Sequence, residues 1–218
     1  MIDLNLNVSR RGRPRFLFIG AHSDDIEIGC GGTVVELLKR YPNAEITWVV
    51  LSGNTERARE ARKSAGMMLR GVERKDILIE KFRDCFFPSE YPALKAFFED
   101  VCKSFSPTVI FAHHRDDLHQ DHRIVGELAW NTFRDHMILE YEIPKFDGGL
   151  GSPSFFVPLS AETVRRKLAV LTKAFGSQRS RQWFSDETFS GLMRLRGIEC
   201  NASSGYAEAF YARKVILR

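Results

Sequence analysis

Residues 15–33 read RFLFIGAHSDDIEIGCGGT, and this stretch decides the fold. Residues 15–21 (RFLFIGA) are a short apolar run, the mark of a strand buried on both faces of a parallel sheet. The run ends in a polar turn, His22-Ser23-Asp24-Asp25. Gly29, Gly31 and Gly32 follow, and then residues 33–41 (TVVELLKRY), which read as a helix ended by Pro42. A buried strand, a polar turn, glycines and a helix make the opening unit of an α/β fold.

The alternation continues outward from that unit. Strands are expected over residues 46–51 (ITWVVL), 76–79, 108–112 (TVIFA) and 137–143. Helices are expected over 55–69, 92–105 and 124–135, the first of these closing near Gly71. Residues 144–158, rich in Gly, Ser and Pro, read as a long functional loop, since no second core follows. Helical stretches at 161–175 and 187–196 and a closing strand at 206–217 complete the chain. The order predicts a Rossmann-like, mostly parallel sheet with helices on both faces. The 218 residues suit one domain, with residues 1–14 as a flexible or edge arm.

Bulk properties exclude several functions. Net charge is +4, from 32 basic and 28 acidic residues, and no basic stripe accompanies it, so no nucleic-acid partner is expected. The densest basic cluster, Arg10, Arg11, Arg13 and Arg15, reads as a solvated arm. The N-terminus lacks the apolar stretch of a secretory signal, and no run approaches the ~18 apolar residues of a membrane span. The four cysteines are scattered without a CxxC pair, which points to reduced thiols in a cytoplasmic protein.

Two polar clusters stand out because each follows a buried strand. The first runs from Ala21 through Thr33; the second is His113-His114-Arg115-Asp116-Asp117-Leu118-His119-Gln120-Asp121-His122. In an open α/β sheet, ligands bind beyond the carboxyl ends of the strands, so segments about ninety residues apart can meet there. Five of the six histidines lie in or directly before these loops. Taken singly, a strand-end Asp is more often a helix cap and a loop His merely solvated. Concentrated at one sheet edge, they suit a catalytic zinc, which takes His nitrogen and Asp oxygen and keeps a position for water. His22 and Asp25 stand three apart, as do His119 and His122, and all four are candidate ligands. Asp24, next to a candidate ligand, is a natural general base for a water held by the metal. The glycines lack G-x-G-x-x-G spacing and read as close backbone packing rather than a phosphate cradle.

The first cluster resembles the AHPDDxExGCGG motif of the PIG-L/LmbE-like deacetylases. The second resembles that family's D-x-H-P-D-H motif, here Asp117 to His122. Weaker echoes are Arg57 with Glu60, Ser177-Gln178, and Ala207-Glu208-Ala209-Phe210. The resemblance implies an LmbE-like fold and a zinc-dependent N-deacetylase with one Zn2+ per chain. It makes His22, Asp25 and His122 the zinc ligands and Asp24 the general base. It also implies that His119 stabilises the oxyanion, that His119 or Asp24 protonates the leaving amine, and that Asp121 orients His119. Ser23 and Gln120 stand where the family usually has Pro, and Ile26 where it often has Glu; none of the three is a ligand or the base.

The implied partner is a small N-acetylated amino sugar or its conjugate, with homo-oligomer formation left open. Arg57, Glu142 and Lys145 are candidate substrate contacts, the last two because they follow the fifth strand. Two other readings compete. One is a metal-dependent hydrolase of another bond, such as a phosphoester, in which Asp116 and Asp117 serve a second metal. The other is a non-catalytic Rossmann-like sugar- or nucleotide-binding protein.

Overall fold

The computed structural model describes residues 12–216, so the arm at 1–11, including Arg10 and Arg11, lies outside the described residues. The elements alternate: β1 (Arg15–Gly20), α1 (Asp25–Arg40), β2 (Glu45–Ser52), α2 (Thr55–Met68), β3 (Arg74–Phe82), α3 (Tyr91–Ser104), β4 (Val109–His113) and α4 (Gln120–Thr132). Then come β5 (Met137–Tyr141), β6 (Phe155–Pro158), α5 (Ala161–Ala174), α6 (Asp186–Glu199) and β7 (Ala207–Ala212), with short 3-10 turns at Phe87–Glu90 and Gly176–Gln178.

The seven strands form one sheet in the order β3-β2-β1-β4-β5-β7-β6. The first five are parallel, whereas β7 runs antiparallel to both β5 and β6. Alternate residues of the central strands enter opposite layers, as the pleat requires. Phe16, Phe18, Ile46, Trp48, Val50, Val109 and Phe111 face α1, α2, α5 and α6. Leu17, Ile19, Val49, Leu51, Ile110 and Ala112 face α3 and α4. The order turns about β1: the chain steps outward to β2 and β3, then returns to β4 on the other side. The carboxyl ends of β1 and β4 therefore flank the switch-point crevice of a doubly wound sheet.

Several boundaries differ from the sequence reading. The first helix starts at Asp25 instead of residue 33, because the glycine run is helical and broken only at Cys30 (φ −144°, ψ 17°). Glycine is a poor helix former, but here it admits close neighbours. A Cβ on Gly29 would stand 2.2 Å from the Tyr141 ring, and one on Gly32 2.6 Å from Leu159. The break at Cys30 frees backbone groups inside the core, and two distant side chains satisfy them. Lys167 Nζ donates to the Ile28 carbonyl at 2.6 Å. Glu208 accepts from Gly32 N at 2.8 Å and Thr33 N at 2.6 Å, and pairs with Lys167 at 2.7 Å. The fourth helix likewise starts earlier, at Gln120 instead of residue 124, with His119 as its cap. The loop read over 144–158 contains the edge strand β6 in its last four residues. The closing strand ends at Ala212, and residue 217 of the expected strand lies outside the described residues.

Candidate active site

The turn after β1 folds back on itself: His22 N donates to Asp25 Oδ2 at 2.6 Å. Asp25 opens α1, and Asp24 occupies the N-cap position without making a side-chain cap bond. Asp24 is buried, and its Oδ1 instead accepts from Arg57 Nη2 at 2.6 Å. Asp24 Oδ2 has no hydrogen-bond partner among the described residues. Burial raises the Asp24 pKa despite the pull of the Arg57 guanidinium.

The loop after β4 supplies the facing groups. His119 caps α4, its Nδ1 accepting from Asp121 N at 3.3 Å. A neutral ring that accepts at Nδ1 carries its proton on Nε2. Burial, and then His22, hold the His119 pKa below its ordinary 6.5, so it rests neutral near pH 7. Asp117 accepts from His119 N at 2.7 Å through one oxygen. Its other oxygen meets His122 Nδ1 at 3.2 Å and Lys145 Nζ at 2.8 Å. Asp121 is fully buried and accepts from Cys85 N at 2.7 Å and Phe87 N at 3.3 Å. Its carboxylate also meets His22 Nε2 at 3.2 Å. Asp121, expected to orient His119, meets that ring through its backbone amide, while its carboxylate meets His22.

These outer partners select the ring atoms that face the centre. A carboxylate has no proton to give, so His22 carries its proton on Nε2, toward Asp121 and Asp84 Oδ1 at 3.1 Å. His122 carries its proton on Nδ1, toward Asp117. The atoms left are His22 Nδ1 and His122 Nε2, which stand 3.2 Å apart. Asp25 adjoins both rings, Oδ2 lying 3.3 Å from His22 Nδ1 and Oδ1 lying 3.6 Å from His122 Nε2. Donors on a tetrahedral ion with bonds of about 2.0–2.1 Å stand about 3.3 Å apart. Two imidazoles and an adjoining carboxylate, each ring braced by an outer carboxylate, could hold a divalent metal ion. The centre also favours positive charge. Burial opposes a charge on His22, yet Asp25, Asp121 and Asp84 outweigh it and hold its pKa well above 6.5. Burial likewise opposes a charge on Asp25, but His122, His113 and His22 keep its pKa well below the usual value.

Other donor sets crowd the same place: His22 with His119 and His122, Asp25 with His113 and His122, and His22 with Asp84 and Asp121. Sequence reasoning placed His113 in the second cluster without making it a candidate ligand, and did not single out Asp84. His113, the last residue of β4, is fully buried, stacks on His122 at 3.9 Å and meets Asp25 Oδ2 at 3.0 Å. Asp84 follows β3 at the same sheet edge, which was the one signal that could have found it.

The three expected substrate contacts are placed differently from one another. Lys145 reaches Asp117, inside the cluster. Arg57 reaches Asp24. Glu142 stands apart: both oxygens bond Arg196, and Oε1 also accepts from Gly151 N and Tyr211 Oη. Asp116, offered for a second metal, is an exposed acid paired with Arg213 at 3.0 Å, and Asp117 is spent on His122 and Lys145.

A family model described as GlcNAc-PI de-N-acetylase, PIG-L, matches residues 17–133, which contain both polar clusters. An uncharacterised deacetylase of Escherichia coli, YaiS, is 29% identical over 184 residues, covering 79% of this chain and 97% of its own. Among solved structures, the N,N'-diacetylchitobiose deacetylase of Pyrococcus horikoshii is similar with a TM-score of 0.71 at 20% identity, over 96% of this chain and 87% of that one. The 4-carboxy-2-hydroxymuconate hydratase of Pseudomonas putida is similar with a TM-score of 0.75 at 16% identity, over 94% of this chain and 98% of that one. At such identities the structural likeness establishes the fold alone. A hydratase and a deacetylase share it, so activity must be argued from the site.

Proposed function

Because this chain belongs to the PIG-L family of de-N-acetylases, we propose that it is a zinc-dependent hydrolase that removes acetyl from an N-acetylated amino sugar or its conjugate. The observation that carries the reading is the convergence of His22 Nδ1, His122 Nε2 and Asp25 beside a buried Asp24 whose Oδ2 is uncommitted. In this reading His22, Asp25 and His122 hold one zinc. The ion, when bound, supplies Lewis acidity to the amide carbonyl and lowers the pKa of water to about 7.

The chain's own groups do the rest. Asp24 Oδ2 takes the proton from the attacking water and passes it to the amine nitrogen as the carbon–nitrogen bond breaks. His119 donates from Nε2 to the developing oxyanion, and being neutral it gives a hydrogen bond rather than a charge. Asp117 and Asp121 keep the two ligand rings in the required tautomer. Lys145, braced on Asp117, lies where it can meet a sugar hydroxyl. The reaction is placed in the cytoplasm: the four cysteines are unpaired, which suits a reducing compartment. Among the described residues no helix is long and apolar enough to cross a membrane.

The test is acetate release from N-acetylglucosamine conjugates by metal-stripped protein, with and without added zinc. Substituting His22, Asp25 or His122 by Ala should abolish zinc binding. His119→Ala and Asp24→Asn should keep the metal and lose turnover. Retained turnover in Asp24→Asn, or loss of the metal in His119→Ala, overturns the assignment.

A further inference from the structure

Asp24 is the N-cap of α1, directly before its first residue, and its side chain makes no cap bond there. This is unusual chemistry for an aspartate at an N-cap, whose side chain normally accepts from the amide two or three residues on. What holds it away is an assembly outside its own helix. Arg57, in the first turn of α2, donates from Nη2 to Asp24 Oδ1 at 2.6 Å. Its Nη1 donates to Glu60 Oε2 at 3.1 Å and to Ser177 Oγ at 3.4 Å.

Glu60, one turn on and 3% exposed, is fixed in turn by Ser177, which donates from N at 2.8 Å and from Oγ at 2.7 Å. The first turn of α2 is itself pinned, since Asn54 Oδ1 accepts from Arg57 N at 3.0 Å. The guanidinium is thus held at both ends of its fork, and one oxygen of Asp24 is spent on it while the other is left uncommitted.

We propose that Arg57 is a positioning residue, clamped by Glu60 and Ser177, that keeps the Asp24 carboxylate off the amides of α1 and turned toward the reacting water. The proposal rests on the reading of Asp24 as the base. It replaces the expectation that Arg57 grips substrate, because the side chain is committed to these three partners. Its parts lie on three separate elements, the α1 cap, α2 and the 3-10 turn at Gly176–Gln178. A guanidinium suits the task better than an ammonium, because a planar fork can hold Asp24 and Glu60 at once.

The experiment compares wild type with Arg57→Met, Arg57→Lys, Glu60→Gln and Ser177→Ala in the zinc-loaded protein, alongside Asp24→Asn. An ångström of misplacement in a reacting group can cost on the order of a hundredfold in rate. Arg57→Met should therefore lose ten- to a hundredfold in kcat with KM within about twofold, and zinc content should be unchanged. Arg57→Lys should recover part of that loss, and Ser177→Ala should show a smaller loss of the same kind. Adding Arg57→Met to Asp24→Asn should cost nothing further, since the two act as a unit.

A crystal structure of metal-free Arg57→Met provides the readout independent of turnover: Asp24 should lie within hydrogen-bond distance of the amide of residue 26 or 27. A rise in KM at unchanged kcat would make Arg57 a substrate contact and overturn the proposal. So would an Asp24 side chain that stays in place in that crystal structure. If Asp24→Asn keeps full turnover, the base assignment fails instead.

Discussion

Replacing Glu208 by Gln tests how the broken first helix is held together. The carboxylate accepts three buried bonds, from Gly32 N, Thr33 N and Lys167 Nζ, at 2.8, 2.6 and 2.7 Å. Gln keeps the shape but removes the charge, leaving Lys167, 2% exposed, as a cation without a counterion. Breaking a buried pair from one side costs about 3–5 kcal/mol. For a chain of this size each kcal/mol lowers Tm by about 2–4 °C, so a fall of roughly 6–20 °C is expected.

Lys167→Met should cost less, about 1–3 kcal/mol, the penalty for stranding the Ile28 carbonyl. Glu208 would keep two amide donors at a helix N-terminus, where a carboxylate is favoured. The double variant should fall short of the sum of the singles, because removing both charges leaves no buried ion. Thermal and urea unfolding followed by circular dichroism would measure all three. Equal costs for the two singles, or additivity within about 0.5 kcal/mol, would refute the picture of one coupled cap.

Two further outcomes follow from the same core. Gly29→Ala should gain about 1 kcal/mol of helix propensity. It should lose more than that, because the new methyl meets Tyr141, which is buried and tied by its hydroxyl to the Ile19 carbonyl at 2.6 Å; an unchanged Tm would contradict this. Glu27 is fully buried, and burial, against the opposing pull of Ser64, lifts its pKa from 4.5 to about 8. The unfolded chain releases this proton from pH 4.5 upward while the folded chain holds it to about 8, so stability is lost as pH rises through that window. By pH 7 the loss is about 3 kcal/mol, at 1.36 kcal/mol per unit. Glu27→Gln should flatten the dependence of Tm on pH between 5 and 8, and a slope identical to wild type would rule the mechanism out.

Much of the fold was legible because β1, β2 and β4 are buried on both faces and so read as continuous apolar runs. The glycines of α1 hid where the helix starts, although their reading as close packing holds, since they admit Tyr141 and Leu159, neighbours far away in the chain. Strand β6 was hidden because it is short, half-buried and paired with a strand fifty residues on. In the site, His22, Asp25, His119 and His122 could be singled out because the crevice rule brings two strand ends together. The tasks within the cluster were not legible. Asp121 turns to His22 because the backbone at Cys85 and Phe87 pulls its carboxylate that way, and nothing local to Asp121 encodes that pull. Asp84 is one exposed acid among many until the fold sets it against His22.

The bridge from Glu208 to Gly32 spans 176 positions, and that from Lys167 to Ile28 spans 139. On a ribosome adding about 5–20 residues per second, the broken helix emerges on the order of ten to thirty seconds before the groups that complete it. Until then the nascent chain carries open amides directly behind the His22–Asp25 turn. The helix behind the His22–Asp25 turn lacks its Lys167 and Glu208 partners until α5 and β7 have been made.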